Sequence, residues 1–371
     1  MAYDDRLSII KEIEGLRESK VICYLTSVRP NGGAQMAEDA VRVMFDHLLL
    51  LPERPVKKLD IFLCSNGGSG VVPWRLVSLF REFAEKIGVL IPYRAYSAAT
   101  MLALGADEIV MHPFAEMGPI DPTVSNDFNP VDPQTQQRVG ISVEDVKAYV
   151  GFIKDTVGIR HEDELVKAIE ILAQRVHPLA LGNVERFISQ SRMIARKILL
   201  THMSEETSKH EIDETIETLA SKLYFHGHPI NRKEALVELG LKVAENVPPA
   251  LETAIWKLYL EFEKDLKNNE VFDPLAEIFN QAPMPANLQP GQLAIIPPGF
   301  NTTIENKLAV IESARQSSTF GIKRRFVVVG AGAQGEPLIR SETLAQGWQH
   351  IQAPAPAPSA KPKPKARRGA P

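Results

Sequence analysis

Cysteine is almost missing from this chain of 371 residues, which has only Cys23 and Cys64. Each lies inside an apolar run that reads as a strand, so nothing resembles a disulfide framework or a zinc ligand set, and two core thiols are expected. Long apolar runs are missing too. No window approaches the roughly 18 apolar residues of a membrane span, and the opening MAYDDRLSIIKEIEGLRESK reads as a charged amphipathic helix rather than a signal peptide. These absences place the protein in the cytoplasm. Excess positive charge is absent from the body: the formal charge is −4, and Lys361, Lys363, Lys365, Arg367 and Arg368 close the chain without an acid, leaving about −9 on the rest. A body of that sign argues against nucleic acid as a partner. No internal repeat of useful length is found.

What remains is the composition of an ordinary globular protein, 44% hydrophobic and 24% charged, with enough chain for one large domain or two. From Lys20 to about Val124, short apolar runs alternate with helical stretches, the pattern of a βαβ core with a mostly parallel sheet. The runs Val21–Thr26, Leu59–Cys64, Val89–Tyr93 and Glu108–Met111 read as strands. Gln35–Leu50, Pro73–Lys86 and the apolar Ala98–Leu104 read as helices between them. Gly118–Gly140, rich in Pro, Asn and Asp, reads as a long surface loop. Helices follow over Ser142–Lys154, His161–Arg175, Asn183–Met203, Ile212–Tyr224, Asn231–Leu239 and Leu251–Leu266.

Six prolines between Pro274 and Pro298 predict an extended connection, followed by a small hairpin patch at Ile304–Gln316 and Arg325–Val329. The last twenty residues, QAPAPAPSAKPKPKARRGAP, cannot bury enough apolar surface to fold. The expected organisation is therefore an N-terminal helix (1–19), a main domain (20–245), a C-terminal helix (246–272), a Pro-rich extension with a small hairpin (273–350) and a disordered basic tail (351–371).

Two turns could carry chemistry. SNGGSG, Ser65–Gly70, follows the strand IFLC, and its paired glycines can take positive φ and bring backbone N–H groups close to a ligand. A plain tight turn would look the same. Ser97 stands where an apolar strand meets an Ala-rich helix, as a nucleophile would or as an N-cap would. Taken together the turns say more. The C-terminal ends of neighbouring parallel strands share an edge where ligands bind, so Gly67, Gly68 and Ser97 should open on one crevice.

The runs LDIFLCSNGGSGVVPWRLVSLFREF and VLIPYRAYSAATMLALGADEIVMHPFAEMGPIDP, with HPLALGNVERF (177–187) and LYFHGHPINRKEALVELGL (223–241), resemble the Clp-protease/crotonase fold. More narrowly, they resemble the serine dehydrogenase proteinase family, related to signal peptide peptidase A. The resemblance spans about residues 20–245. It implies an α/β core of repeated ββα units, Ser97 as nucleophile, Gly67 and Gly68 as oxyanion donors, a peptide substrate and a homo-oligomer. It implies no cofactor.

A serine hydroxyl needs a neighbour to take its proton. In the Clp branch a histidine about two dozen residues on does so. Here that count lands on Ile120, Asp121 and Pro122, and the nearest histidine, His112, ends a strand and reads as structural. The signal-peptide-peptidase branch uses a lysine further on. Lys147 and Lys154 lie at +50 and +57 on one helix face, with Lys147 nearer the returning loop, and a different alignment puts Glu144 there. Lys147 is the first choice of base.

His177, His226 and His228 lack a third ligand at metal spacing and read as packing or oligomer-contact residues. Gly330, Gly332 and Gly335 form GxGxxG after a strand-like run, but Pro337 and the tail leave no room for the helix and acidic strand of a nucleotide site, so a hairpin or loop is expected. The leading function is an intracellular serine peptidase. A crotonase-like acyl-CoA enzyme and a catalytically inactive assembly protein are the alternatives.

Overall fold

The computed structural model describes residues 2–121, 123–124, 127–133, 136–222, 227–282, 296–332 and 337–352. Seven strands form its main sheet: β1 (Lys20–Thr26), β2 (Val56–Cys64), β3 (Ala84–Ile91), β4 (Glu108–Met111), β5 (Asn301–Ser313), β6 (Gln316–Ala331) and β7 (Pro337–Gln352). Their order is β7-β6-β5-β1-β2-β3-β4, with β1 to β4 parallel and β5 to β7 an antiparallel meander joined to β1.

β1 to β4 are apolar almost without interruption because both faces of the parallel sheet are covered. Side chains alternate along a strand, so Ile22 and Tyr24 enter one core while Val21, Cys23 and Leu25 enter another. The second core lies under α1 (Ala2–Arg17) and α10 (Pro249–Leu266), the latter placing Leu251, Ala254, Ile255, Leu258, Tyr259 and Phe262 on one face at helical spacing. The first lies under α2 (Asp39–Leu49), α3 (Val72–Phe83) and α4 (Ala98–Ala103), with α7 (Pro178–Leu199) and α8 (Glu205–Glu217) packed outside them. Cys23 and Cys64 are both free and fully buried, and burial pushes the Cys64 thiol up to about 12, so neither is a nucleophile near neutral pH.

Between the core helices lie α5 (Val143–Gly151), which continues as a π turn over Phe152–Thr156, and α6 (Glu162–Ala173). Val146 on α5 packs with Ile141, Ala180, Val184 and Ile188 in a small cluster of its own, whereas α6 has no buried residue. α9 (Arg232–Val237) and α11 (Pro274–Gln281) complete the helices. No helix among the described residues is long and apolar enough to cross a membrane.

The segment after Asp273 differs from the sequence expectation. It holds α11 and three long strands where a proline-rich connection and a small hairpin were expected. α11 tolerates Pro274 because a proline at the first helical position has no N–H to lose, and the Asp273 carboxylate accepts the Leu275 N–H at 2.8 Å. In β5 the first half alternates while the half paired with β1 is buried. There Glu312, fully buried, takes both Nε and Nη2 of Arg6 from α1 at 2.8 Å, and accepts the Ser317 hydroxyl at 2.7 Å. Gly330 lies in β6 opposite Leu338 of the antiparallel β7, Gly332 follows the end of β6 at Ala331, and Gly335 lies outside the described residues.

Candidate active site

β2 ends at Cys64 and β3 at Ile91, and each is followed by a turn on the same sheet edge. Backbone bonds join the two turns: Ser65 N–H donates to the Arg94 carbonyl at 2.8 Å, and Tyr96 N–H to the Ser65 carbonyl at 3.0 Å. On the other side of the glycine turn, Met36 N–H donates to the Gly67 carbonyl at 2.7 Å and Ser69 N–H to the Met36 carbonyl at 2.9 Å. The SNGG bend is thus clasped between two extended segments.

Both glycines are required where they sit. Gly67 has φ +94°, and a Cβ there would lie 2.6 Å from the Tyr96 carbonyl oxygen and 2.9 Å from the Ser97 Cβ. Gly68 has φ +150°, and its Cβ would lie 2.4 Å from the Met36 oxygen. These distances also place the bend directly against Ser97. The two predicted turns do converge.

Ser97 stands at φ 51° and ψ −113°, a region that non-glycine residues enter at a cost of about 1–3 kcal/mol. It occupies the N-cap position of α4, yet its side chain makes no capping hydrogen bond. A strained strand-to-helix corner whose serine makes no capping hydrogen bond has the backbone of a nucleophile elbow, and an N-cap needs neither feature. No acceptor among the described residues takes the N–H of Gly68 or of Ala98, whereas Gly67 N–H donates to Ser65 Oγ at 3.1 Å. The Ala98 N–H escaped the sequence reading, although its position directly after the serine was a usable signal.

The elbow is braced from beneath. The Thr100 hydroxyl lies 2.6 Å from the Ala95 carbonyl oxygen and 2.8 Å from that of Gly118, and accepts Gly118 N–H at 3.2 Å. Glu116 Oε1 accepts both the Tyr96 hydroxyl at 2.6 Å and Arg94 Nε at 2.9 Å. Burial, together with the Glu116 carboxylate, pushes the Tyr96 phenol above its ordinary value, so Tyr96 stays protonated and is not a base.

The basic candidates lie on the helical arm. Lys147 on α5 is exposed and donates from Nζ to Ser221 Oγ at 3.4 Å, a hydroxyl that also accepts Arg192 Nη2 at 2.7 Å. Lys154, on the π turn after α5, is exposed as well. The Glu144 side chain and His226 lie outside the described residues. Where a Clp-type histidine would stand, Ile120 and Asp121 are buried, with Ile120 N–H on the Leu219 carbonyl and the Ile120 carbonyl accepting the Ser191 hydroxyl. His112 stacks on Trp256 at 4.9 Å, His177 caps α7 by accepting Leu179 N–H, and His228 pairs with Glu234 at 2.6 Å. Among the described residues no group of His, Cys, Asp and Glu could hold a metal ion.

The sequence profile of the ClpP-like SDH-type serine proteinases matches residues 36–271, which hold every element of this site from Met36 to α10. The chain belongs to this family. As a ClpP-like serine proteinase it is also similar to two uncharacterised proteins of Methanocaldococcus jannaschii. One is 26% identical over 250 residues, 66% of this chain and 73% of the relative; the other is 26% identical over 261 residues, 68% and 78%. Among solved structures it is similar to two variants of the 1510-N membrane-bound stomatin-specific protease. Both are 13% identical and cover 62% of this chain, with 82% and 77% of the other chain and TM-scores of 0.36 and 0.35. A methylmalonyl CoA decarboxylase gives a TM-score of 0.24 at 12% identity, over 59% of this chain and 92% of the other.

Proposed function

We propose that this family member is a serine peptidase working by acyl transfer, with Ser97 as nucleophile. The observation that carries the reading is the uncapped hydroxyl on a positive-φ corner, set against a glycine bend that only glycine can form. As the Ser97 oxygen bonds to the peptide carbonyl carbon, its proton passes to a base and the carbonyl oxygen becomes an oxyanion beside the Gly67–Gly68 turn. The Gly68 and Ala98 N–H groups are the donors for that charge, and Gly67 allows the close approach. Collapse breaks the C–N bond as the base returns the proton to the leaving amine, and water then repeats the sequence on the acyl-enzyme.

Lys147 is the proposed base. A lysine accepts a proton only when neutral, a form that desolvation favours, and Lys147 is exposed in the single chain. Exposed Phe152, Val166, Ile169, Ile171 and Leu179 on the same arm provide apolar surface for a homo-oligomer, whose formation would withdraw water from that amine. Two free thiols and no disulfide accord with a cytoplasmic setting.

The test is covalent labelling by a fluorophosphonate probe, alongside hydrolysis of an unfolded protein substrate. Ser97→Ala should lose both entirely, and Lys147→Ala should slow both by about 10² or more, while Lys154→Ala stays near wild type. Labelling that persists in Ser97→Ala would reject the assignment.

A further inference from the structure

The hydroxyl of Ser65 sits at the centre of the glycine turn, and the reaction scheme above makes no use of it. Ser65 and Thr26 are each only 1% exposed, their hydroxyl oxygens lie 2.7 Å apart, and Ser65 Oγ accepts Gly67 N–H at 3.1 Å. The backbone of the same residue makes both bonds that join the turn to the Ser97 segment. Ser65 therefore touches the bend from inside and the elbow from alongside.

Peptide geometry gives this contact a consequence. A trans peptide points its carbonyl and the following N–H in opposite directions. Since Met36 N–H holds the Gly67 carbonyl, the Gly68 N–H must face the other way, toward the open side. Among the described residues no backbone group clamps the neighbouring peptide, Asn66–Gly67. Its N–H is held by Ser65 Oγ. Glycine at both following positions leaves several backbone conformations nearly equal in energy, so an outside contact must select one.

We propose that Ser65 is a positioning residue for the oxyanion turn: its buried hydroxyl, backed by Thr26, draws the Gly67 N–H inward and, together with the Met36 clamp on the Gly67 carbonyl, keeps the Gly68 N–H outward on the side of Ser97. This inference rests on the serine-peptidase reading and can fail separately from it. Ser65 touches no substrate in this scheme. It acts through the direction of one amide, and that amide matters only while an oxyanion is present.

Two reactions at position 97 separate this role from plain support. Phosphonylation by a fluorophosphonate develops negative charge on an oxygen that needs the turn. Alkylation of a Ser97→Cys thiol by iodoacetamide is a displacement at carbon that develops none there. Ser65→Ala should slow fluorophosphonate labelling by about ten- to a hundredfold, less than outright loss of a donor, while leaving iodoacetamide alkylation in the Ser97→Cys background within about threefold. Cys23 and Cys64, both fully buried, add little background. The double variant Thr26→Val/Ser65→Ala removes both hydroxyls without stranding one. It should regain thermal stability relative to Ser65→Ala without regaining labelling rate.

Unchanged labelling in Ser65→Ala, or equal slowing of both reactions, overturns the positioning role while the peptidase reading stands. Absence of any Ser97-dependent labelling in the wild-type chain overturns both.

Discussion

The two halves of the central sheet share one hydrogen-bonded layer and differ in almost everything else. β1 to β4 are short, apolar and covered on both faces, and turns at their carboxyl ends carry the glycine bend and Ser97. β5 to β7 run 13 to 16 residues against 4 to 9, the first half of β5 alternates between buried and exposed, and β7 is exposed along most of its length. In the parallel half, burial on both sides fixes where each strand stops, which makes its edge accurate enough for a reacting group. The antiparallel half adds width and one buried anchor, Glu312 with Arg6, where it touches the core. Changes near the carboxyl ends of β2 and β3 should therefore act on chemistry, and changes along the meander should act on stability.

The sharpest way to break this contrast is Gly67→Ala. The new Cβ meets the Tyr96 carbonyl oxygen at 2.6 Å on a backbone of φ +94°, so labelling at Ser97 should fall by about 10² or more. Activity-based labelling at matched protein folding, judged by circular dichroism, reads it. A rate near wild type would separate the bend from the site.

Next in size is Arg6→Ala, which leaves Glu312 buried and uncompensated at the seam between the halves. A loss of about 3–5 kcal/mol in urea unfolding is expected. Labelling of the variant while folded should stay close to wild type. A smaller loss, under about 1 kcal/mol, would mean that the meander is not anchored there.

A pH effect of similar order belongs to the same seam. His47 is buried between the Ser313 and Ser318 hydroxyls, and Ser318 also contacts His350. Burial, reinforced by His350, pushes His47 down to about 4 from 6.5. Above pH 6.5 it is neutral folded or unfolded and adds no pH dependence. Between 6.5 and about 4 the unfolded chain gains a proton that the folded one refuses, so stability falls with pH, by up to about 3 kcal/mol. Urea midpoints at pH 7 and 4.5 for wild type and His47→Gln check the sign, since the variant should lose this part of the slope.

The smallest effect marks the background. Arg42 and Asp46 form an exposed i,i+4 pair on α2, and Arg42→Ala should change stability by less than about 0.5 kcal/mol. Thermal melts would detect a larger shift, which would show that exposed charge pairs matter here.

Legibility followed the same division. The strands β1, β2 and β4 were readable as apolar runs because a parallel sheet buries both faces and leaves no polar alternation to confuse with loop. β3 starts at Ala84, directly after α3, because AEKIG is a good helix sequence that the parallel pairing with Val56–Phe62 converts into strand. Of β6 only Arg325–Val329 was readable, and β7 was not: Gln316, Ser317 and Ser318 are polar yet buried, most of β7 faces water, and the prolines before Phe300 resemble a linker. In the site, Ser97 and the glycine pair could be placed together because topology puts neighbouring strand ends on one edge. Ser65 and the Ala98 N–H were missed because what sets them apart is the direction of backbone groups. Lys147 could be counted to but not oriented, since the arm that carries it packs as a separate cluster.

Residue order alone determined that a hydroxyl and a paired-glycine turn would close adjacent parallel strands, because apolar runs of that length can only stack into a doubly covered sheet. Only the tertiary structure decided that the hydroxyl is left uncapped on a positive-φ corner, that Met36 and Ser65 hydrogen-bond the two peptides of the bend, and that residues beyond the prolines complete the sheet. Those outcomes depend on contacts between segments as much as 310 residues apart in the chain, such as Tyr3 with Ser313, whose free energies no local pattern encodes.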